Sequence, residues 1–121
     1  MSKKVSIDPA RRVLLQFRIN REATLPFRFS ENCEEVDITS WVFQLFIKRY
    51  PGDRKSIISL TLGSGLSIPV YETSVLEAFF TSDQTNIPEG QYYWELYRVD
   101  TKETWLNGYA NFTFGPKDAK Q

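Results

Sequence analysis

Few residues in this chain are of types that perform chemistry, and their spacing narrows the choice further. There is no histidine, which excludes serine-type triads and histidine-containing metal sites. Cys33 is the only cysteine, so neither an intrachain disulfide nor a cysteine-rich zinc site is available. Glu31, Glu34, Glu35 and Asp37 crowd one short segment and are of the right type for calcium. They lack the spacing of an EF-hand loop, so a solvated acidic turn is the expectation. Gly63-Ser64-Gly65 is not followed by the Lys-Ser/Thr of a phosphate-binding loop. Lys48, Arg49, Arg54 and Lys55 gather around Pro51-Gly52, yet the whole chain balances 15 basic against 15 acidic residues. A nucleic-acid binder shows a basic surplus or stripe, so no nucleic-acid partner is expected. The general acid–base residue most often used, histidine, is missing, and no cofactor motif replaces it; the expectation is a non-enzyme without metal or cofactor.

The side chains with the most binding potential are aromatic. In Thr85–Asp100, TNIPEGQYYWELYRVD, Pro88 and Gly90 stand directly before a dense aromatic run. Tyr92, Trp94 and Leu96 fall on one face of an extended segment, and Tyr93, Glu95, Tyr97 and Val99 on the other. In Thr104–Gly115, Leu106, Gly108, Ala110, Phe112 and Phe114 share one face, and Trp105, Asn107, Tyr109, Asn111 and Thr113 the other. Tyr93, Tyr97, Trp105 and Tyr109 are therefore expected to form an outward aromatic patch across two hairpin-linked strands, a surface suited to another protein. A sugar-stacking platform is the alternative. Tyr92 has a structural reading: after a Pro-x-Gly-x corner, its ring packs inward and its hydroxyl bonds the upstream backbone.

The elements positioning these residues are strands. Val13–Asn20 alternates, with Val13, Leu15, Phe17 and Ile19 inward. Thr24–Ser30 places Leu25, Phe27 and Phe29 on one face, with Pro26 marking an edge or a bulge. Asp37–Tyr50 sets Trp41, Phe43, Leu45 and Ile47 against Val42, Gln44, Phe46 and Lys48. Apolar residues on both faces point to a central strand, or to one face covered by a partner. Tyr50-Pro51-Gly52-Asp53 fits a type II turn. Strands are expected over 56–63 and 74–81, and one helical turn over 82–86 capped by Ser82 or Asp83. Gly108 beside Ala110 leaves room for a large neighbour, Trp94 or Trp41. The 121 residues thus predict one all-β domain: an immunoglobulin-like antiparallel β-sandwich of about seven to eight strands over 13–116. A polar arm (1–12) precedes it and a polar tail (117–121) follows. No apolar h-region or membrane-length run is visible, so the expectation is folding in a reducing cytoplasm, or release from one, without a membrane partner.

The order of four segments resembles a known family. FRINREATLPFRF runs a first strand into a polar break and a Thr, where the family commonly has Arg-Gly-Asp-Thr. VDITSWVFQLFIKR gives an acidic residue, Ile-Thr-Ser and an aromatic before a strand ending in basic residues. FFTSDQTNIPEGQYYWELYRVD leads a Thr-containing turn into x-Gly-x-Tyr, and TWLNGYANFTFGP closes with a central Gly. The pattern, over roughly residues 13–116, resembles the immunoglobulin-like domain of tailed-phage virion proteins. These include the N-terminal domain of the baseplate upper protein family and related fibre-attachment domains. Arg21 or Glu22 stands where the family has Gly, and the 100–104 hairpin has none. The resemblance implies a non-enzymatic virion component made in the host bacterial cytoplasm. It further implies contacts with other phage virion proteins, a homo-oligomer, and the role of a separate baseplate, tail or head-fibre adaptor. The alternative function is a carbohydrate-binding module using the surface aromatics.

Overall fold

Alternating apolar side chains escape water only if two extended layers close over them, and this chain takes that solution. A computed structural model describes residues 11–114, and every regular element among them is a strand. They are β1 (Arg11–Arg12), β2 (Leu15–Arg18), β3 (Ala23–Arg28), β4 (Ser30–Glu31), β5 (Glu34–Glu35), β6 (Phe43–Lys48), β7 (Ile58–Leu62), β8 (Gly65–Ser67), β9 (Val75–Phe80), β10 (Gly90–Arg98) and β11 (Glu103–Thr113). Of the expected N-terminal arm, Arg11 and Arg12 form β1; the rest of the arm and the 117–121 tail lie outside the described residues.

Hydrogen bonding runs along one path, β1-β11-β10-β6-β7-β8-β9-β3, with β2 also on β11. The path folds over at the short β7–β8 connection. There Gly65 has φ +103, and a β-carbon on it would stand 2.6 Å from Leu60 Cδ2. On either side of the fold, β11, β10, β6 and β7 form one layer and β8, β9 and β3 the other. Rings meet across the gap: Phe27 stacks on Trp94 at 5.9 Å, Phe17 meets Phe80 edge-on at 4.9 Å, and Phe29 lies 5.4 Å from Phe43. β1 and β2 run parallel to β11, while β10 is antiparallel to both its neighbours. The molecule is an all-β, immunoglobulin-like β-sandwich.

Five local expectations are corrected. Val13–Asn20 is not one strand: β1 ends at Arg12 and β2 begins at Leu15. Between them, Val13 N–H donates to Asn107 O, and Val13 O accepts the Trp94 indole N–H at 2.8 Å. The space at Gly108 accordingly serves Val13 rather than an aromatic ring; Gly108 has φ +148, and a β-carbon there would collide with the Val13 carbonyl oxygen. The 50–53 turn closes by Asp53 N–H to Tyr50 O and by Asp53 Oδ2 accepting Tyr50 N–H. Gly52 does not take the positive φ that a type II turn requires. The turn at 82–85 is capped by Thr81, not Ser82 or Asp83. Thr81 Oγ1 accepts Gln84 N–H while Gln84 Oε1 accepts Thr81 N–H, a reciprocal capping box. Phe114, expected inward, lies past the end of β11 and is exposed.

Candidate interaction face

The site is built on β10, β11 and β6. Along β10, alternation sends Tyr92, Trp94 and Leu96 into the core and Tyr93, Glu95 and Tyr97 to the outer side, where each is half-buried among neighbouring side chains. Register fixes those neighbours. Tyr93 pairs with Lys48 and with Tyr109, Glu95 with Phe46 and Asn107, and Tyr97 with Gln44 and Thr104. The β11-β10-β6-β7 layer therefore carries Phe46, Tyr93, Tyr97 and Tyr109 on its outer side, and no strand among the described residues packs over them.

Tyr109 is 45 % exposed and meets Tyr93 edge-on, with ring centroids 6.4 Å apart and planes at 80°. Lys48 reaches over the Phe46 ring, its ammonium 5.9 Å from the centroid. Glu95 accepts a hydrogen bond from Thr104 Oγ1. Burial, and secondarily the Glu95 charge, push the Tyr93 hydroxyl above its usual value, so it stays neutral through the physiological range.

Trp105 does not belong to this face. It is 3 % exposed and packs against Trp41 and Phe29. The cause is a β-bulge: Leu96 pairs with Leu106 while Tyr97 pairs with Thr104, so Trp105 is an extra residue on β11. The bulge breaks the alternation and turns Trp105 and Leu106 both inward. A sugar-stacking platform loses its largest expected ring by this correction, and the perpendicular Tyr93–Tyr109 pair supplies no coplanar surface in its place.

Phe46 and Lys48 were absent from the sequence-derived patch. The signal was available in β6, whose outward parity matches that of β10 once the two strands are paired. A second exposed apolar spot, Val70-Tyr71, sits in the β8–β9 loop and carries no periodic signal, since it follows Pro69 in a turn.

The corner residues are structural. Tyr92 is 3 % exposed, and its hydroxyl donates to Pro88 O at 2.7 Å. Arg49 stacks its guanidinium 4.8 Å from the Tyr92 ring and donates to Gln91 O at 3.1 Å. Gly90, at φ +153, lets Arg49 in: a β-carbon there would stand 3.0 Å from Arg49 Nη1.

The acidic residues of 31–37 do not converge. Glu31 and Glu34 pair across the β4–β5 hairpin, whose Asn32 and Cys33 both have positive φ. Glu35 and Glu72 both bind Arg28, at 2.9 and 3.1 Å, and raise its already high pKa, Glu72 foremost. Asp37 accepts from Thr39 N–H and Oγ1, which hold its carboxyl below the usual range. At the same end of the sandwich, Arg98 lies 3.8 Å over the Trp41 ring and clasps Asp100 through two hydrogen bonds. Asp100 also accepts Val42 N–H, and its carboxyl is held low, chiefly by Arg98.

No family model and no curated relative matches the chain. Among solved structures, the natural killer cell receptor Nkp44, described as a triggering partner in natural cytotoxicity, superposes with a TM-score of 0.38 at 11 % identity. The match covers 86 % of this chain and 98 % of the receptor chain.

Proposed function

We propose that this protein is a non-enzymatic assembly component of a bacteriophage virion, of the baseplate, tail or head-fibre adaptor type. It acts through protein–protein contact on the outer side of β6, β10 and β11. The observation that carries the contact role is the group Phe46, Tyr93, Tyr97 and Tyr109 on the outer side of the β11-β10-β6-β7 layer, over which no strand among the described residues packs. Aromatic residues at such density on a sheet face are enriched in protein interfaces and rare on surfaces that stay in water. The virion setting is supported by the resemblance of the four ordered segments to tailed-phage immunoglobulin-like domains.

Mass spectrometry and negative-stain microscopy of purified particles test the setting, with the protein expected at a fixed copy number. Particles that lack it contradict the setting. The Tyr93→Ser/Tyr109→Ser variant tests the face: it is expected to fold and to be left out of particles. Normal incorporation of that variant contradicts the assignment of the face.

A further inference from the structure

The face has an internal arrangement that selects its occupant. Glu95 and Phe46 are directly opposite one another across β10 and β6, and so are Tyr93 and Lys48 one pleat further on. These four outward side chains mark the corners of a rectangle. Its aromatic corners, Phe46 and Tyr93, lie on one diagonal, and its opposite charges, Glu95 and Lys48, on the other. Diagonal neighbours on such a ladder stand about 7–8 Å apart. Among the described residues Lys48 and Glu95 form no ion pair with each other or with any other side chain. Lys48 leans instead over Phe46, and Glu95 accepts from Thr104.

We infer that this face binds a second copy of the same chain, about a two-fold axis lying along the Phe46–Tyr93 diagonal. The inference rests on the reading of the face as a protein-contact surface. A two-fold contact is isologous: whatever residue i touches on the partner, the partner's copy of that residue touches i. An axis along the aromatic diagonal places Phe46 on the partner's Phe46 and Tyr93 on the partner's Tyr93. The same rotation exchanges the other two corners. Each Glu95 then faces the partner's Lys48, and the pair is made twice. With strands about 4.8 Å apart and a rise of about 3.4 Å per residue, the exchanged corners coincide to within about 3 Å, which flexible side chains cover. Apolar rings at the centre supply the burial, and the reciprocal charges set the register and reject other alignments. Tyr97 and Tyr109 extend the contact at its margins. No axis of this kind would make the face self-complementary if its two charges had the same sign.

Sedimentation velocity of the full chain over a rising concentration series, with Glu95→Lys, Lys48→Glu and the double swap, tests the inference. The wild type is expected to reach the mass of a dimer. Each single swap sets like charges against each other twice and should weaken association at least about tenfold. An equimolar mixture of the two single variants should recover the dimer, since a positive side chain on one chain then meets a negative one on the other at both contacts. The double swap should recover it as well. Circular dichroism identifies any variant that has failed to fold, and the recovered mixture establishes that both single variants are folded. A wild type that stays monomeric throughout, or single swaps that dimerise like wild type, overturns the inference. Incorporation of a monomeric wild type into particles through the same face would overturn the second copy as occupant while leaving the proposed function standing.

Discussion

Tyr92 and Tyr93 are adjacent on one strand and opposite in circumstance. Tyr92 points into the sandwich, lies edge-on to Phe112, takes Arg49 on its other side and gives its hydroxyl to Pro88 O. Tyr93 points away from the sandwich and meets Lys48, Tyr109 and Glu95, with no second layer of strands above it among the described residues. The contrast repeats down β10: Trp94 has its indole N–H on Val13 O, whereas Tyr97 lies beside Gln44 and Thr104. The inner residues have their partners inside the chain. The outer ones are aromatic to a degree that the chain itself does not use.

That difference predicts effects of different kind and size. The largest belongs to Trp94, which is fully buried, stacks on Phe27 and hydrogen-bonds Val13 O. Trp94→Ala is expected to cost about 3–5 kcal/mol from the lost burial and the cavity left behind together. Urea unfolding measures it, and the β1–β2 segment should lose hydrogen-exchange protection first. A variant of near wild-type stability would mean that the two layers are not held together at this point.

Tyr92→Phe is a smaller cut, because the ring remains. It leaves the Pro88 carbonyl without its donor, and a cost of about 1–2 kcal/mol is expected in the same assay. Tyr93→Phe, the matched change on the other side of the strand, should shift the unfolding midpoint by less than half that amount. Equal effects at the two positions would break the comparison.

The smallest effect concerns the clasp of Arg98 and Asp100 beside Trp41. Asp100 has its folded pKa depressed, so its contribution is fully present above the ordinary carboxylate value. It is lost as pH falls through the lower folded value. Asp100→Asn should remove about 1 kcal/mol or less at neutral pH, in keeping with a partly exposed pair, and should flatten the acid limb of the stability curve. An unchanged acid limb would show that the clasp contributes nothing.

Much of this arrangement was legible in the sequence because it follows from period two. The inward set of β10 and the Phe43, Leu45 and Ile47 set of β6 needed only alternation, and Pro88-x-Gly90-x-Tyr92 needed only knowledge of how a sandwich turns a corner. Trp105 was not legible. Its direction depends on a one-residue register shift against Tyr97, and pairing register is a property of two strands together. The break at Val13 depends on an indole 81 residues away. At Tyr50–Asp53, Pro51 is compatible with both common turn types, and the Asp53 carboxylate on Tyr50 N–H replaces the conformation that Gly52 was expected to supply. The Thr81/Gln84 cap was readable from its T-x-x-Q spacing, whereas the Ser82 and Asp83 residue types drew attention to the wrong positions. The contact face was half legible: its β10 and β11 members follow from alternation, and Phe46 and Lys48 follow only once β6 is set beside β10.

The most direct measurement compares Leu45→Ala with Phe46→Ser/Tyr93→Ser by following urea unfolding and sedimentation on the same samples. Leu45 is fully buried, and Phe46 is its neighbour on the outer side of β6. The account predicts that Leu45→Ala loses about 2–5 kcal/mol of stability, while the outer double variant unfolds within about 1 kcal/mol of wild type yet no longer associates. An outer variant that is as destabilised as Leu45→Ala, or that still associates fully, would contradict the claim that this side of the sheet is built for a partner.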